Sequence, residues 1–338
     1  MIDTLPWQAE QWQALVQRYN NSQLPHALLF SGPTGIGKRQ FADSFAASLL
    51  CHQPSEAGQS CDQCRGCTLR LAGNHPDLVE IEPEEAGKAI KIDQIRALSD
   101  FTSLSAQFDH GYKVIILEPA ENMNRAAANS LLKTLEEPTD NTVLILVTSA
   151  PQRLLPTIRS RCQAINFIAP THTTAVNWLN SQLSGGDASK WLEITEGAPL
   201  TALQLANSES SADIEDSYRN SLDALHDLLS NDQDPVSVAS QWYKADSLRA
   251  LRWLSVWVMD IIRLATLNGT GVQPPYLACP GQQDKLQTMA EELQLESLHG
   301  FLAKLNEAGR LLVTTQANQQ LVIEELLIRW STLPRTST

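Results

Sequence analysis

The chain has 338 residues, of which 43% are hydrophobic and 19% charged, with a formal net charge of −13 and an isoelectric point near 5.0. This composition is typical of a soluble globular protein with two or three domains, and its acidic balance argues against a protein that binds nucleic acid on its own. The first residues lack the basic and apolar regions of a secretion signal, and no uncharged apolar run approaches membrane-spanning length, so we expect a cytoplasmic protein.

Five apolar runs in the first half of the chain predict the strands of a parallel sheet. The predicted strands cover residues 27–30, 77–82, 113–118, 142–149 and 164–168. Helical patterns precede and separate them, over residues 7–20, 38–51, 91–105 and 122–137. Strands that alternate with helices indicate an α/β domain in which helices cover both faces of the sheet. We place its end near residue 168.

Beyond residue 170 the strand signals stop and only helical patterns remain. Short helical segments cover residues 171–208, a serine-rich linker follows at 208–211, and the rest of the chain is helical. Two apolar stripes at helical spacing predict the core of a helical bundle. Their residues are Leu251, Leu254, Val258, Ile261 and Ala265 in the first, and Ile323, Leu326, Leu327 and Trp330 in the second.

A glycine-rich stretch from Ser31 to Arg39 lies between the first strand and the next helix, which is the context of a phosphate-binding loop. Backbone N–H groups of such a loop bind the phosphates of ATP or ADP, and a lysine adds positive charge at the helix N-terminus. The candidate binding residues are Gly32, Gly35, Gly37 and Lys38. The motif requires Ser or Thr after the lysine to hold Mg²⁺, and this chain has Arg39 there.

A second position of the nucleotide site also departs from that of an ATPase. Glu118 ends the third strand, where a carboxylate associated with Mg²⁺ is expected. The next residue, where such ATPases commonly carry a catalytic glutamate, is Pro119. Glu121 is the only nearby substitute, and a solvated or helix-capping acid is the plainer interpretation of it. These two losses argue against efficient hydrolysis and leave nucleotide binding open.

Four of the six cysteines cluster in a polar insert after the second helix. They are Cys51, Cys61, Cys64 and Cys67. Thiolates at this spacing can converge on one ion, and four sulfurs complete a tetrahedral Zn²⁺ shell, so we predict a structural zinc site. The alternatives are free thiols in a loop and a thioredoxin-like redox pair, although that pair requires a position after a strand rather than after a helix.

Arg161 lies in the tight segment Ser160-Arg161-Cys162, just before the last predicted strand. An arginine at a domain edge can stabilise the charge that develops on a neighbouring subunit's ATP. It can equally pair with a nearby carboxylate of its own chain. The residues alone leave both interpretations open.

Together these features resemble the bacterial clamp-loader subunits of DNA polymerase III, which are AAA+ proteins. The segments that carry the resemblance are residues 24–33, the four-cysteine insert, 129–138 and 160–162. The similarity is strong over residues 1–168. The domains it implies are a RecA-like P-loop domain over 1–168 with a zinc-binding insert at 51–67, a small helical lid over 169–208, and a helical collar over 209–338.

The resemblance implies a role in loading a sliding clamp onto primer–template DNA, in a complex with the gamma/tau ATPase subunits and the delta subunit. In that family the arginine of the Ser160-Arg161-Cys162 motif reaches the ATP of the adjacent subunit, which implies that Arg161 acts in trans. The resemblance also supports Zn²⁺ at the four cysteines. Arg39, Pro119 and a lid segment without a sensor arginine, Gly197–Leu200, distinguish the chain from gamma/tau and fit a subunit that does not hydrolyse ATP.

Two other functions remain open from the sequence. One is an active ATPase that uses Lys38, Glu118 and Glu121. The other is a zinc-thiolate module that acts in redox chemistry or binds DNA directly.

Overall fold

The computed structural model describes residues 4–85, 87–103, 106, 111–183, 185–270, 272, 274, 276–314 and 317–336. The chain divides into two compact units, residues 1–174 and 175–338. The finer division into three domains stays a prediction. Within the described residues, every helix is too short or too polar to cross a lipid bilayer.

The first unit contains a five-stranded sheet in which all strands are parallel. The strands are β1 (Ala27–Ser31), β2 (Leu78–Ile81), β3 (Lys113–Leu117), β4 (Thr142–Thr148) and β5 (Gln163–Asn166). Their spatial order is β2-β3-β4-β1-β5. The five predicted strands and the predicted parallel α/β class are therefore confirmed.

Six α-helices connect and flank these strands. They are α1 (Ala9–Asn20), α2 (Lys38–Leu50), α3 (Arg65–Leu71), α4 (Ile92–Ser103), α5 (Arg125–Glu136) and α6 (Pro156–Arg159), with short 3-10 helices at Pro6–Gln8, Ala120–Asn122 and Pro151–Arg153. Helix α5 is capped at its N-terminus by Asn124, whose side chain accepts a hydrogen bond from the Ala127 N–H. The sequence predicted that α4 continues to residue 105, but residues 104 and 105 lie outside the described part. Helix α3 was not predicted.

Two hydrophobic cores cover the two faces of the sheet. Because successive side chains of a strand point to opposite faces, Leu28 and Phe30 of β1 pack with α1 and α2, whereas Leu29 packs on the other side with α4 and α5. Phe41 of α2 meets Phe30 edge-to-face, with ring centroids 5.4 Å apart. This two-sided burial explains why the strands are continuous apolar runs.

The parallel arrangement gives the sheet two chemically different edges. The glycine loop follows the carboxyl end of β1. The segment with Arg161 precedes the amino end of β5, which pairs with β1 in parallel from Leu28–Gln163 to Ser31–Asn166. The two candidate sites therefore lie at opposite edges of the same sheet.

The second unit is entirely helical in its described part. Its helices are α7 (His172–Gln182), α8 (Ala188–Ile194), α9 (Pro199–Ala206), α10 (Ser211–Leu229), α11 (Pro235–Leu267), α12 (Gln283–Glu292), α13 (Leu295–Thr314) and α14 (Gln319–Ser331), with a 3-10 helix at Pro280–Gln282. Helix α11 is interrupted at Asp246, which has a non-helical backbone. The Asp246 carboxylate accepts the Arg249 N–H at 3.0 Å and so begins the second segment.

One hydrophobic core joins the helices of the second unit. Both predicted stripes contribute to it, with Ala265 at its margin. Trp330 is fully buried and its indole N–H donates to the Leu225 carbonyl at 2.8 Å. Trp253 of α11 donates to the Ile194 carbonyl at 2.8 Å, so α8 shares this core. The predicted all-α class of this region is confirmed.

Candidate functional site

The glycine loop contains backbone conformations and close contacts that require glycine. Gly37 has φ of 90°, in the left-handed region that favours glycine. At Gly32 a Cβ atom would lie 2.2 Å from the Phe167 carbonyl oxygen, so the end of β5 leaves no space for a side chain. The Ile36 carbonyl accepts a hydrogen bond from the Trp7 indole at 2.9 Å, which fixes the loop from the N-terminal side.

The side chain of Lys38 is turned onto its own loop. Its Nζ donates to the carbonyls of Gly32 at 2.9 Å and Pro33 at 2.6 Å, and to Ser149 Oγ at 3.1 Å. Burial lowers the pKa of Lys38, against the opposing charge of Glu118. The ammonium is thus held by neutral oxygens, and a nucleotide phosphate would have to compete with them.

Arg39 is surrounded by four carboxylates. Its guanidinium contacts Asp43 at 2.8 Å, Glu80 at 2.9 Å and Glu118 at 3.5 Å, and it also contacts Glu82. These acids come from α2, from β2 and the residue just past it, and from the end of β3. Arg39 therefore ties together three elements at the carboxyl edge of the sheet.

The position of Arg39 has a direct consequence for metal binding. In a P-loop ATPase, Mg²⁺ is held between the residue after the lysine and the carboxylate at the end of a neighbouring strand. Here the guanidinium of Arg39 contacts that carboxylate, Glu118, itself. Burial lowers the pKa of Arg39, but the surrounding carboxylates raise it further, so the net shift is upward and the cation is permanent. Burial raises the pKa of Glu118, and Arg39 opposes this effect.

Glu121 also lies in this pocket. Its Oε1 accepts the backbone N–H of Ser149 at 3.0 Å, and its charge acts on Lys38. Its second oxygen is buried without a hydrogen-bond partner in the described structure. The structure therefore brings Glu121 beside the glycine loop and Glu118, and it uses one oxygen of the carboxylate to hold the backbone after β4.

The four clustered cysteines converge on one point. Their sulfur atoms all lie within 4.8 Å of one another, with Cys51 and Cys64 at 3.9 Å and Cys61 and Cys67 at 4.0 Å. Four sulfurs placed tetrahedrally at the usual Zn–S bond length would be separated by about 3.8 Å. The four thiols therefore fit a closed tetrahedral metal shell.

Backbone N–H groups point at these sulfurs. Cys64 Sγ accepts from the N–H of His52 at 3.4 Å and from that of Cys67 at 3.5 Å, at the start of α3. Burial would raise the pKa of the Cys64 thiol, but these hydrogen bonds outweigh it and lower the pKa to about 6. Such donors favour the thiolate, which is the form that binds a metal.

The cysteine insert is anchored to the first helix. The Trp12 indole of α1 donates to the Ala57 carbonyl at 2.8 Å, and a Cβ at Gly58 would lie 2.4 Å from Val16. Arg70 of α3 pairs with Asp62 of the insert at 2.9 Å. These contacts hold the cysteine insert in place, and the sequence did not predict them.

Arg161 lies on the turn after α6, at the amino edge of the sheet. Its Nη1 donates to the Thr157 carbonyl at 3.0 Å, and its Nη2 pairs with Glu136 Oε1 at 2.7 Å. The side chain is 36% exposed. The structure thus contains the pairing with a carboxylate that the sequence left open. This contact lies at the far edge of the sheet from the glycine loop.

Comparisons with known proteins agree with this architecture. A family profile described as "DNA polymerase III, delta subunit" matches residues 7–171, and one described as "DNA polymerase III, delta subunit, C terminal" matches residues 213–332. DNA polymerase III subunit delta′ of Pseudomonas aeruginosa is 36% identical over 99% of both chains. The protein of that name from Escherichia coli is 30% identical over 96% of this chain and 94% of its own.

Among solved structures, a gamma-subunit-related protein of DNA polymerase III from Thermotoga maritima matches 96% of this chain and 98% of its own, with 17% identity and a TM-score of 0.46. The parallel sheet, the glycine loop and the helical second unit define the class as a P-loop-type α/β protein with a helical C-terminal unit. Within that class, the chain belongs to the family of DNA polymerase III subunit delta′. The resemblance inferred from the sequence is confirmed.

We predict that Arg39→Ala destabilises the first unit by about 1 to 3 kcal/mol at pH 7, since it leaves a partly buried group of carboxylates without their cation. Burial already raises the pKa values of Asp43 and Glu118, and loss of Arg39 raises them further. A carboxylate with a raised pKa in the folded state costs stability while it is ionised, and that cost disappears as the pH falls through the folded pKa. The loss of unfolding free energy in Arg39→Ala should therefore be smaller at pH 5 than at pH 7.

Chemical denaturation of the wild-type chain and the variant at both pH values measures this. Arg39→Lys keeps a charge without the planar guanidinium, so its stability should lie between those of the wild-type chain and Arg39→Ala. An Arg39→Ala deficit that is absent, or that grows toward pH 5, would show that the carboxylates do not depend on Arg39.

Proposed function

We propose that this chain is a non-hydrolysing subunit of the clamp loader of DNA polymerase III. It assembles with gamma/tau and delta subunits, and the complex loads a sliding clamp onto primer–template DNA. The observation that carries the proposal is the contact of the Arg39 guanidinium with Glu118 and three further carboxylates. The family membership supplies the complex, and the arginine accounts for the lack of hydrolysis.

The proposed lack of hydrolysis has two causes, the loss of the Mg²⁺ site and the loss of the residue that orients water. Hydrolysis of ATP requires Mg²⁺ on the phosphates and a group that orients the attacking water. The positive charge of the Arg39 guanidinium repels a divalent cation from Glu118. Unlike a Ser or Thr hydroxyl, the guanidinium has no lone pair with which to bind the metal. Pro119 cannot orient water, and Glu121 binds the Ser149 backbone with one oxygen. The loop is then a retained part of the fold, and any nucleotide bound there stays intact.

The catalytic contribution of this subunit comes instead from Arg161. Its guanidinium is partly exposed at the sheet edge opposite the glycine loop, so it is accessible to a neighbouring subunit and distant from its own pocket. A guanidinium on the γ-phosphate of a neighbour's ATP stabilises the charge of the transition state and contributes roughly 10³- to 10⁵-fold in rate. We therefore assign Arg161 as the arginine finger that acts in trans.

The cysteine cluster is proposed to bind one structural Zn²⁺. Cys51, Cys61, Cys64 and Cys67 would supply all four ligands, which leaves no coordination position for a substrate or water. The ion supplies a crosslink between the end of α2, the insert and α3. This assignment agrees with a cytoplasmic protein, because reduced cysteines bind metal readily in a reducing compartment.

We predict that Arg161→Ala in an otherwise wild-type clamp-loader complex lowers the DNA- and clamp-stimulated ATPase rate by at least tenfold, since one site loses its transition-state charge stabilisation. Arg159→Ala is the matched control, because it removes an exposed arginine two residues away. The measurement is steady-state ATP hydrolysis by reconstituted complexes of equal composition.

The purified chain without its partners should not hydrolyse ATP. Unchanged activity of the Arg161→Ala complex would contradict the arginine finger. Turnover by the chain alone that disappears with Lys38→Ala would contradict the non-hydrolysing assignment and establish the active ATPase instead.

We predict that the purified protein contains one equivalent of Zn²⁺, and that Cys64→Ser lowers both the metal content and the thermal unfolding temperature, because a ligand of a closed site contributes directly to folding. Cys162→Ser, which removes a cysteine outside the cluster, should leave the metal content unchanged. Elemental analysis and thermal unfolding measure this. A wild-type protein purified without chelator that contains no metal would overturn the zinc assignment.

A further inference from the structure

Arg161 is held by two groups of its own chain before any partner is bound. We propose that Glu136 is a positioning residue for Arg161: its carboxylate orients the guanidinium toward the neighbouring subunit's nucleotide. The inference rests on the proposed function of Arg161 in trans. The observation behind it is the ion pair between Glu136 Oε1 and Arg161 Nη2, at 2.7 Å across two elements.

Both partners of this pair are attached to rigid parts of the first unit. Glu136 is the last residue of α5, and the preceding Leu135 is buried against the sheet. The Leu135 carbonyl contacts the His26 ring at 3.2 Å, which fixes the end of α5 to the residue before β1. On the other side, the Arg161 N–H donates to the carbonyl of the fully buried Ile158 at 3.1 Å. The backbones that carry the carboxylate and the guanidinium are therefore fixed relative to the sheet.

The geometry leaves Arg161 able to bind a phosphate. A guanidinium has five N–H donors in a planar fork. The hydrogen bond to Thr157 and the ion pair with Glu136 use at most two of them. The side chain is thus oriented without being saturated, and at least three donors remain for the charge of a phosphoryl group. An unrestrained arginine has many rotamers, and only some of them would present the guanidinium to the neighbouring site.

The opposite role, a carboxylate that withholds the arginine from the nucleotide, fits the geometry less well. An ion pair with a partner that is 51% exposed is weak and is easily exchanged for a phosphate. Orientation, by contrast, requires only a fixed anchor. A positioning role therefore predicts that loss of Glu136 slows hydrolysis, whereas a withholding role predicts that it accelerates hydrolysis.

The test uses reconstituted clamp-loader complexes with this subunit as wild type, Glu136→Ala, Glu136→Gln or Glu137→Ala. We expect Glu136→Ala to lower kcat for stimulated ATP hydrolysis by about fivefold to tenfold, with KM unchanged, as for a misplaced catalytic group. Glu136→Gln keeps an acceptor at the same distance and should recover most of the rate. Glu137→Ala removes the adjacent exposed carboxylate and should act like wild type.

A double-mutant cycle separates this inference from the proposed function. Glu136→Ala should have no further effect in an Arg161→Ala background, because there is then no guanidinium to orient. If Arg161→Ala alone leaves the rate unchanged, the proposed arginine finger fails, and the positioning role fails with it. If Arg161→Ala slows hydrolysis while Glu136→Ala does not, accelerates it, or slows it equally in the Arg161→Ala background, only the positioning role of Glu136 is wrong.

A second measurement applies to the isolated full chain and does not depend on assembly. The Nε–Hε group of Arg161 should show restricted motion by ¹⁵N NMR relaxation in the wild type and increased motion in Glu136→Ala. Glu137→Ala should match the wild type. Equal mobility of the Arg161 side chain in wild type and Glu136→Ala would overturn the positioning role, whatever the behaviour of the complex.

Discussion

The contacts between Arg39 and its carboxylates determine whether the first unit can bind a metal ion at the carboxyl edge of its sheet. One guanidinium contacts carboxylates from α2, β2 and the end of β3, at the edge where a parallel sheet places its ligand site. A divalent metal would have to displace a cation that is covalently part of the chain. The same contacts hold the three elements together, so in the proposed function the pocket contributes to stability rather than to ATP hydrolysis.

The amino edge of the sheet carries a partly exposed ion pair. There the end of α5 and the turn after α6 bring Glu136 and Arg161 together, and the arginine keeps part of its surface exposed. A parallel sheet separates these two edges by the full length of its strands. In the proposed function the pocket does not hydrolyse ATP while Arg161 acts on a neighbour's nucleotide, and the fold permits this because the two sites share no side chain among the described residues.

Much of the first unit was predictable because its strands are continuous apolar runs and its motifs depend on fixed spacing. The cysteine cluster followed from spacing alone. Helix α3 was missed because its seven residues are too few for a periodic pattern and include Gly66. Asp43 lies four residues after Arg39 on the same helix, but the contacts of Arg39 with Glu80 and of Arg161 with Glu136 could not be predicted, because these residues are distant in sequence and meet only in the folded chain. The break in α11 at Asp246 has no glycine or proline to mark it.

If Arg39 takes the place of the metal, as proposed, then nucleotide binding to this chain should not depend on Mg²⁺. A fluorescent ATP analogue is titrated onto the isolated chain with Mg²⁺ and with EDTA. We expect the same binding curve, or the same absence of binding, in both conditions, because the guanidinium already pairs with Glu118. A tenfold or larger gain in affinity with Mg²⁺ would show that the metal site is functional and would contradict this account.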